Sequence, residues 1–177
     1  MVFFISVCQA EPQSMPTVTA LDLQRYNGKW YEIARLPMWF ERHCIGDISA
    51  TYTLQPDQTV DVKNTCRTLD GMSSAQGVAV LPDSQYPGRL RVRFAPAWLS
   101  FLSFVWGDYW VIDLATDYSW VLVGAPSRNY LWILSRTQTL DEVTIGRLKD
   151  KSRLLGFAVE NMIDIQNISN EESAIRK

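Results

Sequence analysis

A single histidine, His43, stands in a chain of 177 residues. With no second histidine, no Cys-x-x-Cys pair and no His-Glu-x-x-His run, the chain lacks metal-ligand spacing. An excess of charge of one sign is lacking too. The 17 Lys and Arg against 19 Asp and Glu leave a formal net charge of −2, mixed along the chain, so there is no basic stripe for nucleic acid. No apolar run reaches the roughly 20 residues that a membrane-crossing helix needs. There is also no repeat of fixed period and no low-complexity tract. What is present is 47% apolar residues, enough for one domain with a sizeable core.

The first ten residues, "MVFFISVCQA", are apolar and read as a signal peptide that lacks its charged first region, followed by a polar arm over 11–20. Export is the expectation. Cleavage after Ala10 is one reading and lipid attachment at Cys8 the other, since "ISVC" resembles a bacterial lipobox; a plain disordered N-terminus is the alternative to both. Three cysteines are awkward for an exported chain, and removing or acylating Cys8 leaves Cys44 and Cys66 as a pair. These two flank a segment that alternates as Ile48, Ala50, Tyr52, Leu54 and again as Val60, Val62, Asn64 around Pro56-Asp57, the pattern of a hairpin whose ends meet near the cysteines. A bridge there would contribute about 3 kcal/mol in the chain-entropy model, the alternative being two unpaired buried cysteines.

From "WYEIARLP" onward, eight short strand-like runs succeed one another with turn signals between them, which predicts an all-β antiparallel barrel or sandwich. In "RLRVRF", Leu90, Val92 and Phe94 alternate with Arg89, Arg91 and Arg93. A solvated arginine face is one reading, and arginines turned inward on an anionic head group the other. One long helix is predicted, capped by Thr139 with Glu142 and running to about Leu155. Its apolar face would carry Leu140, Val143, Leu148, Leu154 and Leu155, with Ile145 off it. The segment "GFAVENMIDI" returns as a last extended piece, and a polar tail occupies 168–177.

Three segments, "NGKWYEIAR" with Gly28 and Trp30, "ATDYSW" with Thr116, Asp117 and Tyr118, and "LWILSR" ending at Arg136, resemble in order and spacing the signature segments of the lipocalin family. The similarity is strongest to the bacterial outer-membrane type and to apolipoprotein D relatives, and it places the domain over 21–167. It implies an eight-stranded up-and-down barrel around a lipophilic cavity, with one C-terminal helix packed outside. It also implies that Trp30 packs at the closed end beneath Arg136 with Thr116, Asp117 and Tyr118 in a turn beside them. These are fold determinants rather than ligand contacts.

On that topology the loop over 95–107 lies at the open mouth together with Trp39 and Phe40. Trp98, Phe101, Phe104 and Trp106 then form a ligand entrance and a membrane contact, since exposed apolar patches mark such sites and Trp and Phe suit a bilayer surface. A loop folded inward as a plug, or a homodimer interface, is the alternative. Tyr109, Arg128 and Tyr130 are candidate head-group contacts. The expected partners are a fatty acid, lysophospholipid or phospholipid and a membrane surface, with no cofactor, metal or nucleic acid. The expected location is the bacterial outer membrane, through a lipid anchor, or the periplasm. A non-enzymatic carrier is therefore expected. The alternatives are an enzyme using Cys44 beside His43, which needs a free thiol, and a protein-binding envelope factor using the aromatic mouth.

Overall fold

The computed structural model describes residues 15–166. The leader expected over 1–10, Cys8 with it, and the tail expected over 168–177 lie outside the described residues. Eight strands run up and down: β1 Gly28–Arg35, β2 Gly46–Leu54, β3 Val60–Thr68, β4 Gly71–Val80, β5 Arg89–Arg93, β6 Gly107–Leu114, β7 Trp120–Gly124 and β8 Leu131–Ser135. Each pairs antiparallel with the next, and β1 pairs with both β2 and β8, so the sheet closes on itself. A two-residue strand, β9 Ile163–Asp164, joins β1 at Ala34 and Arg35, where β2 has already diverged. Of the barrel or sandwich expected from strand spacing and turn signals, the observed fold is the barrel, as the resemblance implies.

Period-two alternation sorts the strand residues into two clusters. Trp30, Tyr52, Val62, Leu90, Val111 and Val121 fill the inside. Ile33, Ile112, Leu122 and Ile133 face outward, where they pack with Ile145 and Leu148 of the helix α2 Glu142–Leu154. Met15, within the arm ahead of the barrel, is buried in that outer cluster as well.

The helix lies where it was expected, but its cap and its face differ. Asp141, not Thr139, is the N-cap, accepting from the Thr144 amide at 2.8 Å. The buried face is Ile145, Leu148 and Ser152, while Val143 and Leu154 are exposed. Ser152 can lie against the barrel because its hydroxyl donates to the Leu148 carbonyl at 2.8 Å, satisfying it inside its own helix. Counting apolar letters assigned the face to leucines. A small, self-satisfied serine packs more closely there than Leu154 could.

The closed end is tied by one guanidinium. Arg136 lies 3.8 Å from the centre of the Trp30 ring. It donates to the carbonyls of Lys29 at 2.9 Å, Arg25 at 2.7 Å and Tyr118 at 3.4 Å. Trp30 is fully buried and donates its indole N–H to the Tyr26 carbonyl, at the end of the short helix α1 Leu23–Tyr26. Gly28 has φ +98, and a Cβ there would come within 3.4 Å of the Arg136 guanidinium, so both conformation and space favour glycine. Tyr118, in the β6–β7 turn, donates no side-chain proton to this cluster but accepts the Asp22 amide at 2.9 Å and lies under the Arg25 guanidinium. Arg25 in turn donates to the Thr116 carbonyl. Asp117 accepts the Ser119 amide and shapes the same turn.

At the other end, Cys44 and Cys66 are bridged, with their Cα atoms 5.5 Å apart. The bridge pins the β1–β2 connection to β3. Replacing Trp30 by Ala is expected to lower unfolding free energy by about 3 to 5 kcal/mol. Arg136→Ala, which strands three carbonyls and bares an indole face, is expected to lower it by about 1 to 3 kcal/mol; urea titrations of both variants check the order.

Candidate functional site

Four connections lie at the end away from Trp30: β1–β2, β3–β4, β5–β6 and β7–β8. Three of them expose apolar side chains. Trp39 on the first, Leu69 and Met72 on the second, and Trp98, Phe101 and Phe104 on the third are 66% to 89% exposed. Phe40 and Phe94 add half-exposed rings. Leu69 and Met72 carried no signal in the sequence. They stand alone among polar neighbours, and only the topology brings the β3–β4 turn to the same rim as the aromatic loop.

The long β5–β6 loop does not enter the barrel. It is built from two 3-10 turns, Ala97–Leu99 and Ser103–Val105, which leave Trp98, Phe101 and Phe104 turned to solvent. Trp106 differs from them. It is half-buried, donates its indole N–H to the Ser100 carbonyl at 2.8 Å and stacks with the Arg93 guanidinium, so it braces the loop rather than extending its surface. The three arginines of β5 lie outside the barrel but not in a solvated face: Arg93 is buried and Arg89 and Arg91 are half-buried. Arg89 lies over Tyr86 and Trp110, and Arg91 donates to the Ser103 carbonyl.

Along β3, β5, β6 and β8 the inward residues become more accessible toward this end. Val62 is buried and Asn64 is not; the same holds for Leu90 and Val92, Val111 and Tyr109, Leu134 and Trp132. The barrel interior is tightly packed at the Trp30 end and more accessible toward its mouth. A line of ring contacts follows that gradient: Phe40 to Tyr130 at 5.9 Å, Tyr130 to Trp132 at 6.1 Å and stacked, Trp132 to Tyr109 at 6.5 Å, Tyr109 to Tyr52 at 6.1 Å.

Of the three candidate head-group contacts, the structure brings two together. Tyr130 stands at the mouth end of the ring line. Tyr109 lies deeper, its hydroxyl bonded to those of Tyr26 at 2.7 Å and Tyr52 at 2.8 Å. Burial raises the pKa of all three phenols, that of Tyr52 to about 12, so they are neutral hydrogen-bonding groups. Arg128 turns away from the cavity. It donates to the Leu155 carbonyl at 3.2 Å and to the Pro126 carbonyl, placing its charge on the C-terminus of α2, where the helix dipole favours a cation.

A buried charge cluster went unrecognised in the sequence. In a regular strand, residues three apart face opposite ways, so Glu32 and Arg35 should not meet. A bulge between Glu32 and Ala34 lets Ile33 and Ala34 both pack outward and turns Glu32 and Arg35 inward, opposite Leu134 and Trp132. Arg35 Nε lies 2.9 Å from Glu32 and 3.1 Å from Glu41, which arrives from the β1–β2 connection. Burial pushes both carboxyls above the ordinary value, Glu32 well above it because the Glu41 charge adds to the effect. Arg35 and a hydrogen bond from Trp132 oppose the rise at Glu41. Two carboxylates against one guanidinium in a dry site favour binding of a proton by the pair. Beside this cluster, Arg35 also forms the base of a pocket of about 300 Å³ with walls from Met38, Ile45 and Ile163 and with Arg42 on its rim.

Among the described residues, His43, Cys44 and Cys66 bring ligand-type atoms within 4.8 Å of one another. The two sulfurs are bonded to each other, so neither is a thiolate for a metal or a nucleophile for the enzyme alternative. Among the same residues no helix is long and apolar enough to cross a membrane.

Comparison with known proteins agrees with this geometry. The family model described as a lipocalin-like domain matches residues 21–167. Temperature-induced lipocalin-1 of Arabidopsis thaliana is 39% identical over 154 residues, covering 86% of this chain and 82% of that protein. The outer membrane lipoprotein Blc of Escherichia coli K12 is 37% identical over 169 residues, covering 93% and 90%. In fold alone, the crystal structure of the cockroach allergen Per a 4 superposes with a TM-score of 0.65 at 18% identity, covering 89% of this chain and 93% of that one.

The buried carboxyl pair has a measurable consequence. Because the folded state holds its proton more tightly than the unfolded chain does, its contribution to stability is fully present below the ordinary carboxyl value of 4.5 and is lost as pH rises through the raised folded values. Between about pH 5 and pH 8 the urea midpoint of the protein is expected to fall. In Glu41→Gln one carboxylate faces one guanidinium, and the slope is expected to flatten; an unchanged slope would remove the pair as its source.

Proposed function

Since this chain belongs to the lipocalin family, we propose that it is a lipid carrier of the bacterial cell envelope that takes up and releases its ligand while its mouth rests on a membrane. The observation that carries this reading is the contrast between the two ends. One end is packed solid on Trp30, while the other is more accessible inside and rimmed by exposed Trp39, Leu69, Met72, Trp98, Phe101 and Phe104. An isolated exposed leucine needs no explanation, but six large apolar side chains on adjacent loops form a patch that water disfavours and a bilayer surface accommodates.

A barrel lined by apolar alternate residues removes an acyl chain from water at about 0.8 kcal/mol per methylene. Twelve methylenes supply about 10 kcal/mol before the entropy of association is subtracted, which allows micromolar binding or better. A fatty acid, a lysophospholipid or a phospholipid satisfies this arithmetic. Likeness to the outer membrane lipoprotein Blc supports export, with the leader either removed after Ala10 or replaced by a lipid on Cys8. The family consists in general of carriers rather than enzymes, and the bridged Cys44 offers no thiol for an alternative chemistry.

Two outcomes test the reading. Delipidated protein is expected to bind a fluorescent fatty-acyl probe saturably, with displacement by unlabelled lipid; a folded barrel without uptake would sink the carrier. Changing Trp98, Phe101 and Phe104 together to Ser is expected to lower co-sedimentation with phospholipid vesicles by about tenfold, with the circular dichroism spectrum retained. Unchanged vesicle binding, or conversion of a dimer to a monomer, would instead make the rim a protein interface.

A further inference from the structure

The interior near the mouth has a definite electrostatic sign. Register turns Arg35 inward there, opposite Trp132, and two carboxylates already share it. Arg93 lies outside over Trp106, Arg128 sits on the C-terminus of α2, and Arg42 is exposed at the rim. Asn64, on the inward face of β3, adds a buried amide oxygen with no hydrogen-bond partner. The inward face here therefore carries acceptors and one more carboxylate than guanidinium.

Beside that carboxylate stand aromatic faces. Phe40, Tyr130, Trp132 and Tyr109 form a continuous strip of rings with centroids 5.9 to 6.5 Å apart, all partly accessible. Trp132 stands opposite Arg35 across the β1–β8 ladder, which joins the strip to the charge cluster. Electron-rich ring faces next to an incompletely compensated carboxylate attract a weakly hydrated cation and repel an anion. Neither half of the arrangement would discriminate well alone: carboxylates without rings favour a proton, and rings without a carboxylate favour any apolar group.

Resting on the carrier reading, we propose that the mouth selects its lipid by the positive end of the head group, holding an ammonium or quaternary ammonium over the Phe40, Tyr130 and Trp132 rings beside Glu41. The acyl chain runs down the barrel toward Tyr109 and Tyr52. A cation at this place compensates the second carboxylate, as a proton does when the site is empty. An acidic lipid gains no such compensation and has to leave its charge at the rim, where Arg42 is exposed.

The test uses the full chain and displacement of a bound fluorescent fatty-acyl probe by two lysolipids of one chain length, lysophosphatidylcholine and lysophosphatidylglycerol. The choline lipid is expected to displace at about one-tenth the concentration of the glycerol lipid. Glu41→Gln and Trp132→Leu are each expected to narrow that ratio to about threefold or less. Equal displacement by the two lipids, tighter binding of the glycerol lipid, or a ratio that both variants leave intact would overturn the proposal while the carrier reading stands. A probe that does not bind at all removes both. The ratio in the unaltered protein decides the question even where a variant fails to fold.

Discussion

Everything at the open end depends on the contact between Arg136 and Trp30 at the other. One planar cation covers an indole face and reads three carbonyls drawn from α1, from the start of β1 and from the β6–β7 turn. A lysine, with a single point of charge, could not span that fork. Once these segments are held, the first strand, the last strand and a turn from the far side of the barrel are fixed to one another. Closure of the sheet then follows from ordinary ladder pairing. The opposite ends of the same strands carry no such duty, so loops of varied length and composition are tolerated there at a modest entropic cost.

The second constraint is the bulge in β1. A buried ion cluster is weak evidence for stability, because desolvation of its members rivals their attraction. The raised carboxyl values at Glu32 and Glu41 express that cost directly. Such a cluster persists where neighbouring structure over-determines it. Here Ile33 and Ala34 are held outward by the helix-side core, Arg35 is flanked by Trp132 across the ladder, and Glu41 is tethered by a short 3-10 turn, Trp39–Glu41, near the Cys44–Cys66 bridge. The bulge in β1 and the turn that follows it thus place three ionisable groups together inside the barrel.

These two features differ in how legible they were. Strands with clean alternation, such as 89–93, were readable because a sheet with one face on the core imposes period two on its letters. The closed-end cluster was readable through the resemblance of the segments that carry Gly28, Trp30, Tyr118 and Arg136 to the lipocalin signatures, since no local pattern brings these four together. The cysteine pairing followed from a hairpin that brings its own ends together. The helix start was misplaced by two residues, since Thr139 and Asp141 both qualify as caps and only the packing of Ile145 and Leu148 chooses between them. The bulge left no mark in the sequence, because a one-residue slip inverts facing without changing composition. Arg128 resembled a mouth residue until the C-terminus of α2 was seen to lie beside it. Leu69 and Met72 gained meaning only through their neighbours on other loops.

The mouth combines features that conflict in a freely dissolved protein. An apolar rim exposed to water carries a standing free-energy cost, and an accessible interior with buried phenols and a buried carboxyl pair would pack better if filled. Both costs fall together in one circumstance, when the rim lies on a hydrocarbon surface and an amphiphile enters the barrel. The rigid closed end makes this workable, because it keeps the empty barrel from collapsing onto its own cavity. The packing of Trp30, far from any ligand, is therefore what allows the other end to remain unfilled.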